Sequence, residues 1–567
     1  MADNETSIKT DKNLGLLSRI SNWIKLNPNS ALYILVLIIG FYIRLFLALR
    51  AIGVYHPDEI FQSLEMAHLI VFDSGYTPPE FLKENPNIES YAASRSWIFP
   101  LIFAAIMRFG EIIGLDYHNQ TLPLIRIFLA INSTLLIPAT RKFVSQLTHN
   151  DTAGVLSAIF VAFWWRLAEL TVRPLSNTFF LPMLFYGLFR MLVVMETKKI
   201  SKYDHFIIAI FVGLSTYIRL DLGIVVFAVF IATFHIRQYK QYFEILSDGI
   251  TGWTIGILVD YSYYDRIFTV PVNWLTFALD HGDDFGVSDK YYYWNELVIA
   301  DGLSNFASIS FVILFYTLAR ILIKSKINSV DSVKSIEFGY VRLFVITVIS
   351  WLISSSVWDN ETHKEIRFNT SGLVLLLLTI AVALTLFIEF VDESFDADIK
   401  LIVIKYSNLG FLKNTQWRKL VLVIGITLLL ANQSVAYQDR RGYVESFDDV
   451  NLALAYVGQQ SNVTGVILVG LWFLAGSYTY LHLGPEVIIE YTNLRDPGSF
   501  SYNQQRLRTL ISDWTEGNYL ILPLYQLINT TADQLISNEQ FVLDLLNNND
   551  FTMQKSIDGR TEVWARN

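Results

Sequence analysis

The sequence predicts an all-α polytopic membrane protein of about eleven transmembrane helices, followed by a C-terminal extracytoplasmic α/β domain. Of the 567 residues, 53% are hydrophobic and only 17% are charged, whereas a soluble domain carries about 25% charged residues. Many apolar stretches meet or approach the roughly 20 residues that a spanning helix needs. After residue 436 these stretches give way to a polar, acidic sequence with strand-like runs.

The apolar stretches divide the chain into an N-terminal segment (1–30), a transmembrane domain (31–436) and a C-terminal domain (437–567). The segment 1–30 is polar and mildly basic and lacks the pattern of a cleavable signal peptide, so we expect it to stay in the cytoplasm. The eleven predicted spans are 31–51, 123–141, 152–170, 177–195, 205–220, 222–236, 249–264, 299–323, 340–357, 371–391 and 419–436.

The distribution of Lys and Arg predicts the orientation, because these residues concentrate in cytoplasmic loops near span ends. With the N terminus inside and the C terminus outside, every basic cluster is cytoplasmic: Arg141 and Lys142; Lys198, Lys199 and Lys202; Arg237 and Lys240; Arg320, Lys324, Lys326 and Lys334; Lys405, Lys413, Arg418 and Lys419. The acidic first outer loop, 52–122, then lies outside. So do the glycosylation sequons at Asn119, Asn360, Asn369, Asn462 and Asn529.

The apolar stretch 98–113 does not cross the membrane in this arrangement. It is short and is interrupted by Arg108 and Glu111, which favours a helix lying against the membrane. The alternative is a twelfth span, which would place either Arg141 and Lys142 outside or the C-terminal domain inside.

Residues 437–567 predict a folded α/β domain. The runs 463–470, 486–491 and 518–525 have strand character and are separated by helical stretches. The chain contains no cysteine, which excludes disulfides, thiolate metal sites and a cysteine nucleophile. The net charge of −9, without a basic stripe, does not indicate a nucleic-acid partner. A P-loop and a GxGxxG motif are both absent, which favours a lipid-borne substrate over a nucleotide-linked one.

The motif YHPDEIFQSLEMAH, residues 55–68, directly follows the first span and contains the adjacent carboxylates Asp58 and Glu59. Partial desolvation raises the pKa of a carboxylate and a neighbouring like charge raises it further, as suits a general base. His56 and Gln62 are candidate substrate-binding residues in the same motif. A helix is predicted from Ile60, so the alternative is that both carboxylates only cap its start.

The motif THKEIRF, residues 362–368, places a compact cationic group at the outer end of the tenth span. His363, Lys364 and Arg367 form this group beside Glu365. Cations at an outer membrane face suit a lipid phosphate, which arginine can bind through two hydrogen bonds. The alternative is that these basic side chains only reach toward the lipid headgroups.

Further candidate substrate-binding residues lie on the same predicted face of the membrane. They are Arg95 in RSWIFP (95–100), Arg173 and Asn177 in ELTVRPLSNTFF (169–180), and Arg219 in STYIRLDLG (215–223). Ionisable residues at this depth are costly and are often functional. The alternatives are structural ion pairs, between Arg219 and Asp221 or between Arg173 and an aspartate, and membrane anchoring by Trp97.

In this order and spacing, HPDE with FQSLEMAH, RSWIFP, TVRPLSNTFF and HKEIRF resemble the family-22 lipid-phosphate mannosyltransferases over about residues 31–391. That family includes the α-mannosyltransferases of lipid-linked oligosaccharide and glycosylphosphatidylinositol (GPI) anchor assembly. The resemblance implies the GT-C glycosyltransferase fold, in which seven spans with a long first outer loop precede a variable set of spans.

The resemblance also implies roles for the motif residues. Asp58 is expected to be the catalytic base with Glu59 as its neighbour, and His363, Lys364 and Arg367 are expected near the donor phosphate. The donor would be dolichyl or another polyprenyl phosphate mannose, and the acceptor a lipid-linked glycan. Inversion of the β linkage would give an α-mannoside, with no metal or other cofactor. We expect a monomer in the endoplasmic reticulum membrane of a eukaryote, or the plasma membrane of a prokaryote, with its active site outside the cytoplasm.

Two other functions remain open from the residues alone. A membrane transporter of a sugar substrate would line its path with intramembrane Arg and Asp, although the repeated halves typical of transporters are not found in this sequence. A membrane scaffold that presents the C-terminal domain to a partner would need no catalytic residues.

Overall fold

The computed structural model describes most of the chain from Pro28 to Arg566. The described residues are 28–84, 91–234, 238–280, 288–289, 291–327, 335–357, 365–405, 425, 428–429, 432–433, 448–470, 475–492, 494, 500–524 and 532–566.

The transmembrane domain is built from helices, several of which contain a π or 3₁₀ turn. They are α1 (Pro28–Arg50), α2 (Pro57–Glu59, a π turn Ile60–Leu64, and Glu65–Phe72), α3 (Ile98–Ile112), α4 (a π turn Tyr117–Thr121, then Leu122–Thr148), α5 (Asp151–Phe163), α6 (Trp165–Thr171), α7 (Ser176–Phe179 and Leu181–Thr197), α8 (Lys202–Ile207, a π turn Ile208–Leu214, and Ser215–Ile218), α9 (Leu220–Leu222 and Gly223–Thr233), α10 (Tyr239–Tyr264), α11 (Thr269–Asp280), α12 (Ser304–Ile327), α13 (Ser335–Val357) and α14 (Thr370–Lys405). Short helical turns also occur at Pro79–Phe81, Trp294–Ile299 and Ile366–Asn369.

Six helical segments in the described residues are long and apolar enough to cross a membrane: Asn29–Arg50, Tyr117–Thr148, Ser176–Thr197, Ser304–Ile323, Ile336–Ser354 and Ile366–Phe390. The bent pair α5 and α6 is a seventh candidate. The predicted spans 205–220, 222–236 and 249–264 overlap α8, α9 and α10, although residues 235 and 236 lie outside the described residues, as does almost all of 419–436. The prediction of a multi-pass helical membrane protein is confirmed, and the count of eleven spans stays a prediction.

The break between α5 and α6 bends the chain by 69° at Trp164. Carbonyl groups near a break lose their helical partners, and in a membrane protein other groups must satisfy them. The fully buried Arg44 of α1 does so, because its Nη2 donates to the carbonyl of Val161 (2.7 Å) and its Nη1 to that of Ala162 (2.9 Å). This break directs α6 and the following Arg173 toward the first outer loop.

Helices α8 and α10 pack closely because glycines face each other. A Cβ atom added at Gly252 would lie 2.0 Å from the Ala209 carbonyl, and one added at Gly213 would lie 2.5 Å from the Gly249 carbonyl. Small residues permit this approach of two backbones in a membrane domain. The contact holds Arg219, at the end of α8, beside the first outer loop.

The C-terminal domain is a five-stranded mixed sheet with helices. Its elements are α15 (Asp448–Gly458), β1 (Gly465–Val469), α16 (Ser477–Leu481), β2 (Ile488–Thr492), α17 (Phe500–Ser512), β3 (Tyr519–Pro523), α18 (Ala532–Asn547), β4 (Phe551–Ile557) and β5 (Thr561–Arg566). The strand order is β2-β1-β3-β5-β4. Strand β1 pairs in parallel with β2 and β3, and β5 pairs antiparallel with β3 and β4. The predicted α/β fold is confirmed, and β1, β2 and β3 match the three predicted runs.

The central strands are buried on both faces, as expected of parallel strands covered on each side. Val466 and Leu468 of β1 belong to a core that is continuous with the transmembrane domain, whereas Ile467 and Val469 face a second core formed with α17 and α18. One face of the sheet therefore packs toward the transmembrane domain, and the other face packs against α17 and α18.

Candidate active site

The start of α2 is fixed by a reciprocal cap. His56 Nδ1 accepts from the backbone N–H of Asp58 (3.1 Å), Glu59 Oε1 accepts from the backbone N–H of His56 (3.0 Å), and Pro57 occupies the first helical position. Both devices favour a helix start. The helix therefore begins three residues earlier than the predicted start at Ile60, which places Asp58 in its first turn.

Asp58 lies at the centre of a charged cluster that joins the two strongest sequence motifs. Arg367 Nη1 donates to Asp58 Oδ2 at 2.6 Å, and Arg367 Nε donates to Glu365. His56 Nε2 lies 2.9 Å from Glu365 Oε1. Because His56 Nδ1 accepts from the backbone, the neutral ring carries its proton on Nε2 and donates it to Glu365. The side chain of Asp58 is 18% exposed and that of Arg367 is 5% exposed, so the carboxylate is the accessible member of the pair.

The charges around Asp58 correct the expectation that its pKa is raised. Burial does raise the pKa of the Asp58 carboxyl, but the positive charges of Arg367 and Arg95, together with the interaction with His56, outweigh burial and hold the pKa below its usual range. An opposite charge within a few ångströms favours the ionised form. Asp58 is therefore a carboxylate at neutral pH.

Glu59 lies in a different environment from its neighbour. Its side chain is 2% exposed, caps α2, and is 3.4 Å from Arg173 Nη1. Arg173 Nη1 also donates to the Gly53 carbonyl at 2.8 Å. The alternative of a structural ion pair for Arg173 is thus realised with a glutamate instead of an aspartate, and Glu59 also serves as the cap that we considered for this motif.

Gln62 and Arg95 are brought together beside Asp58. Arg95 Nε donates to Gln62 Oε1 (3.1 Å), and Gln62 Nε2 donates to Glu80 Oε1 (3.0 Å). The hydroxyl of Tyr91 donates to the same Glu80 oxygen. Burial raises the pKa of Glu80, and Asp58 raises it further against the lowering effect of Arg95. Trp97, expected as an anchor, stacks on Tyr263 with ring centroids 4.3 Å apart.

Arg219 approaches the same cluster from the end of α8. Its Nε donates to Asp221 Oδ1 at 2.9 Å, as the structural alternative predicted. Among the described residues, no hydrogen-bond acceptor contacts the two terminal nitrogens of this buried side chain. Burial lowers the pKa of Arg95, and the positive charge of Arg219 lowers it further. The two guanidinium groups are therefore close enough to repel each other.

Amide and phenol groups complete the surroundings of Arg367. Asn177 Nδ2 donates to the Arg367 carbonyl at 3.1 Å. Within the described parts of the chain, the side-chain oxygen of Asn177, both amide atoms of Asn369 and the hydroxyl of Tyr293 are buried without a hydrogen-bond partner. Burial raises the pKa of Tyr293, and Glu365 and Asp221 contribute to the increase, so this hydroxyl lies near the charged cluster.

The structure thus brings together most of the predicted site residues: His56, Asp58, Gln62, Arg95, Asn177, Arg219 and Arg367, with Glu59 and Arg173 paired directly behind them. His363 and Lys364 lie outside the described residues. Sequence reasoning missed Glu80, Glu365 and Tyr293 as site residues. Glu365 was visible within the HKEIRF motif, whereas Glu80 and Tyr293 carry no signal that separates them from other loop residues. Across the described ranges, no three His, Asp or Glu side chains are grouped to hold a metal ion.

Known proteins resemble this chain in sequence and in fold. It is 26% identical over 252 residues to GPI alpha-1,2-mannosyltransferase 3 of Danio rerio (42% of this chain, 43% of that protein). It is 23% identical over 318 residues to the Bos taurus protein of the same name (55% and 52%). It is 22% identical over 332 residues to mannosyltransferase APTG1 of Arabidopsis thaliana (57% and 54%). The matches span about half the length of these relatives.

A solved structure with a similar fold is ArnT from Cupriavidus metallidurans bound to undecaprenyl phosphate. It aligns with 95% of this chain and 98% of its own, with a TM-score of 0.52 and 11% identity. This similarity confirms the predicted GT-C fold. The family model of the Alg9-like mannosyltransferases matches residues 35–482, a range that includes every residue of the cluster and continues into the C-terminal domain. The chain therefore belongs to the Alg9-like mannosyltransferase family.

Proposed function

We propose that this chain transfers mannose from dolichyl or another polyprenyl phosphate mannose to a lipid-linked glycan, with inversion to an α-mannoside. The observation that carries the proposal is Asp58, an ionised and partly accessible carboxylate beside the guanidinium groups of Arg367 and Arg95. Two relatives are named as GPI mannosyltransferases, so the acceptor we propose is a glycan of the GPI class.

Asp58 is the base in the proposed reaction. The acceptor hydroxyl attacks the anomeric carbon, a new carbon–oxygen bond forms, and Asp58 takes the hydroxyl proton. The bond between the anomeric carbon and the phosphate oxygen breaks, and the lipid phosphate leaves with the bonding electron pair. Attack on the face opposite the leaving group inverts the linkage. Glu59 supports this step by fixing the first turn of α2 and by its ion pair with Arg173.

Arginines suit the donor phosphate in this arrangement. Arg219 is a buried cation whose terminal nitrogens have no acceptor among the described residues, and Arg95 lies close enough to repel it. An anion between two like charges removes their repulsion and forms charge-assisted hydrogen bonds. Arg367 pairs with Asp58 in this structure. During the reaction it can shift its hydrogen bond to the phosphate, where negative charge develops. His363 and Lys364 remain candidates from the sequence for the same phosphate.

Transfer of labelled sugar tests the proposal directly. Membranes containing the chain, supplied with radiolabelled lipid-phosphate mannose and a GPI-type acceptor, are expected to form a labelled glycolipid that α-mannosidase cleaves. Asp58→Asn membranes are expected to form almost none. Asp73→Asn is the matched control, because Asp73 is an exposed residue in the same outer loop, at the C-terminal end of α2.

Other outcomes would point to the alternative functions. Uptake of labelled sugar lipid into vesicles without a new glycosidic bond would support a transporter. If membranes with abundant, folded protein showed neither transfer nor uptake, both activities would be contradicted. The result would then favour the membrane scaffold.

A further inference from the structure

We propose that the segment 477–483 of the C-terminal domain positions α2 for catalysis, and that Glu65 is the positioning residue through which it acts. This inference rests on the proposed function, because turnover of the transfer reaction is its readout. Asp58 and Glu65 belong to the same continuous helix, so a force on Glu65 is transmitted to Asp58 through one rigid element.

Glu65 is a fully buried carboxylate held by neutral donors. Its Oε2 accepts from the backbone N–H (2.9 Å) and the hydroxyl (2.7 Å) of Thr479, and its Oε1 accepts from the backbone N–H groups of Tyr478 (3.3 Å) and Tyr76 (3.0 Å). None of these donors is a cation. A buried carboxylate is costly unless its oxygens are satisfied, and three of its four bonds come from the C-terminal domain.

The next turn of α2 adds a second contact with the same segment. His68 Nε2 lies 2.9 Å from His482 Nδ1, and the ring of His482 packs edge-on against Phe72 with centroids 4.7 Å apart. Just beyond the helix, Ser74 Oγ donates to the Leu483 carbonyl at 2.7 Å. One side of α2 from Glu65 onward is therefore fixed against residues 478–483.

The C-terminal domain also holds the chain just before α2. The carbonyl of Ile52 accepts from Asn451 Nδ2 (2.7 Å) and from the hydroxyl of Tyr480 (3.0 Å). Contacts at Ile52 on one side and at Glu65 on the other bracket the residues that carry His56 and Asp58. A single domain thus sets both the entry and the direction of the catalytic turn.

Precise placement of a reacting group has large kinetic effects, because a misplacement of about 1 Å can cost about 10²-fold in rate. Among the described residues, the hydrogen bonds of Arg95, Arg219 and Arg367 all go to partners outside the C-terminal domain. Loosening α2 should therefore lower the turnover number and leave the affinity for the donor unchanged.

The test measures kcat and donor KM of full-length variants in membranes. Glu65→Gln places an amide N–H₂ against N–H donors and is expected to lower kcat by about 10- to 100-fold, with donor KM within about twofold of the parent. Thr479→Val removes one donor and is expected to lower kcat by a smaller factor, which Thr479→Ser recovers. Thr492→Val is the matched control, because the buried Thr492 hydroxyl donates within the C-terminal domain, to the Asn503 carbonyl.

A cross-link separates positioning from general stability. The chain has no cysteine, so cysteines at Ser74 and Leu483 provide a unique thiol pair across the contact. Joining them with a short bifunctional thiol reagent in the Glu65→Gln variant is expected to restore most of the lost kcat. The unlinked protein should stay slow.

The outcomes distinguish this inference from the proposed function. If the parent transfers no mannose, the proposed function fails. If the parent is active but Glu65→Gln and Thr479→Val keep the parental kcat, or raise donor KM instead, Glu65 is not a positioning residue. Failure of a complete cross-link to restore kcat would also overturn the inference. If Glu65→Gln does not accumulate, Thr479→Val with and without the cross-link decides.

Discussion

The first turn and the middle of α2 carry the same functional group in opposite environments. Asp58, in the first turn, contacts Arg367 and remains partly accessible. Glu65, two turns later, is buried among neutral donors, most of them from the C-terminal domain. The positive charges hold the pKa of Asp58 below its usual range, whereas burial raises the pKa of Glu65.

This contrast separates a group that can exchange protons with a substrate from one that fixes a backbone. A partly accessible carboxylate that is paired with side-chain cations can change partners during a reaction, because no backbone has to move when a side-chain partner is exchanged. A carboxylate bonded to backbone N–H groups cannot change partners without moving the backbone itself. The chemistry therefore depends on Asp58 in the first turn of α2, and the geometry depends on Glu65 in its middle.

The largest effect is expected at Asp58. General-base catalysis contributes about 10²–10⁴-fold, so Asp58→Asn should lower kcat by that factor while donor KM and folding survive, since the amide is nearly isosteric. Glu59→Gln should be milder, because Glu59 supports the turn without taking the proton. Near-normal turnover of Asp58→Asn with an inactive Glu59→Gln would reverse the two roles. Parental rates in both would make this motif a helix cap only.

Removal of an arginine tests whether the cations serve the donor. Arg367→Ala removes a charge-assisted contact worth about 1.5–3 kcal/mol and is expected to raise donor KM by about 10- to 100-fold at constant protein level. Arg219→Gln is also expected to raise donor KM. Initial rates across donor concentrations measure both, and unchanged KM and kcat would return these arginines to a structural role.

Acid is expected to weaken the contact between α2 and the C-terminal domain through His68 and its partner His482. His68 Nδ1 donates to the Ser74 carbonyl, so Nε2 accepts from His482 and has no room for a second proton. Burial lowers the pKa of His68 to about 4 and that of His482 to about 3, where His68 and His118 contribute. An unfolded histidine titrates near pH 6.5. The free energy of unfolding therefore has its full value above about pH 6.5. It decreases as the pH falls toward 4, by up to about 1.4 kcal/mol per pH unit for His68.

Thermal unfolding of the detergent-solubilised protein between pH 7 and 5 measures this loss. The raised pKa of Glu65 has the opposite effect on stability. It stabilises the folded state as the pH falls, because the folded state then binds protons more readily than the unfolded state. The comparison with His68→Gln isolates the histidine, and this variant should show a shallower decline. If the unfolding temperature decreased equally with pH in both proteins, the loss of stability would not come from His68.

Cysteine labelling tests whether both ends of α2 lie outside the cytoplasm. Cysteines introduced at Ser90, Ser288 and Ser461 of the cysteine-free chain are expected to react with an impermeant thiol reagent from the outer side, and one at Ser201 is not. Labelling of Ser201 and Ser461 from the same side would contradict the eleven-span arrangement.

The sequence was most informative where one physical property dominates. Long apolar runs predicted the spans, and the runs at 463–470 and 518–525 predicted the central strands because these are buried on both faces. Strand β4 (Phe551–Ile557) was not predicted, because it is an edge strand whose five middle residues are all exposed and, apart from Met553, polar. Its sequence lacks the alternation that marks a half-buried strand.

The site was predicted as separate motifs and not as contacts. HPDE and HKEIRF each stood out, but the bond between Asp58 and Arg367 joins residues 309 positions apart. Glu65 was missed because a glutamate within a helix of an acidic loop resembles a solvated residue. Its partner Thr479 lies 414 positions away, in the C-terminal domain. Such contacts depend on the arrangement of the whole fold, which spacing along one helix does not encode.

The π turn Ile60–Leu64 decides the directions in which Asp58 and Glu65 point. In an uninterrupted α-helix, seven residues at about 100° each bring two side chains to within about 20° of the same direction. A π turn absorbs one extra residue, which leaves these two carboxylates about 120° apart. A chain of the same length that closed this segment as a regular α-helix would align the two carboxylates, so only one could reach its partners. The π turn is thus as much a part of the site as the residues of the motif.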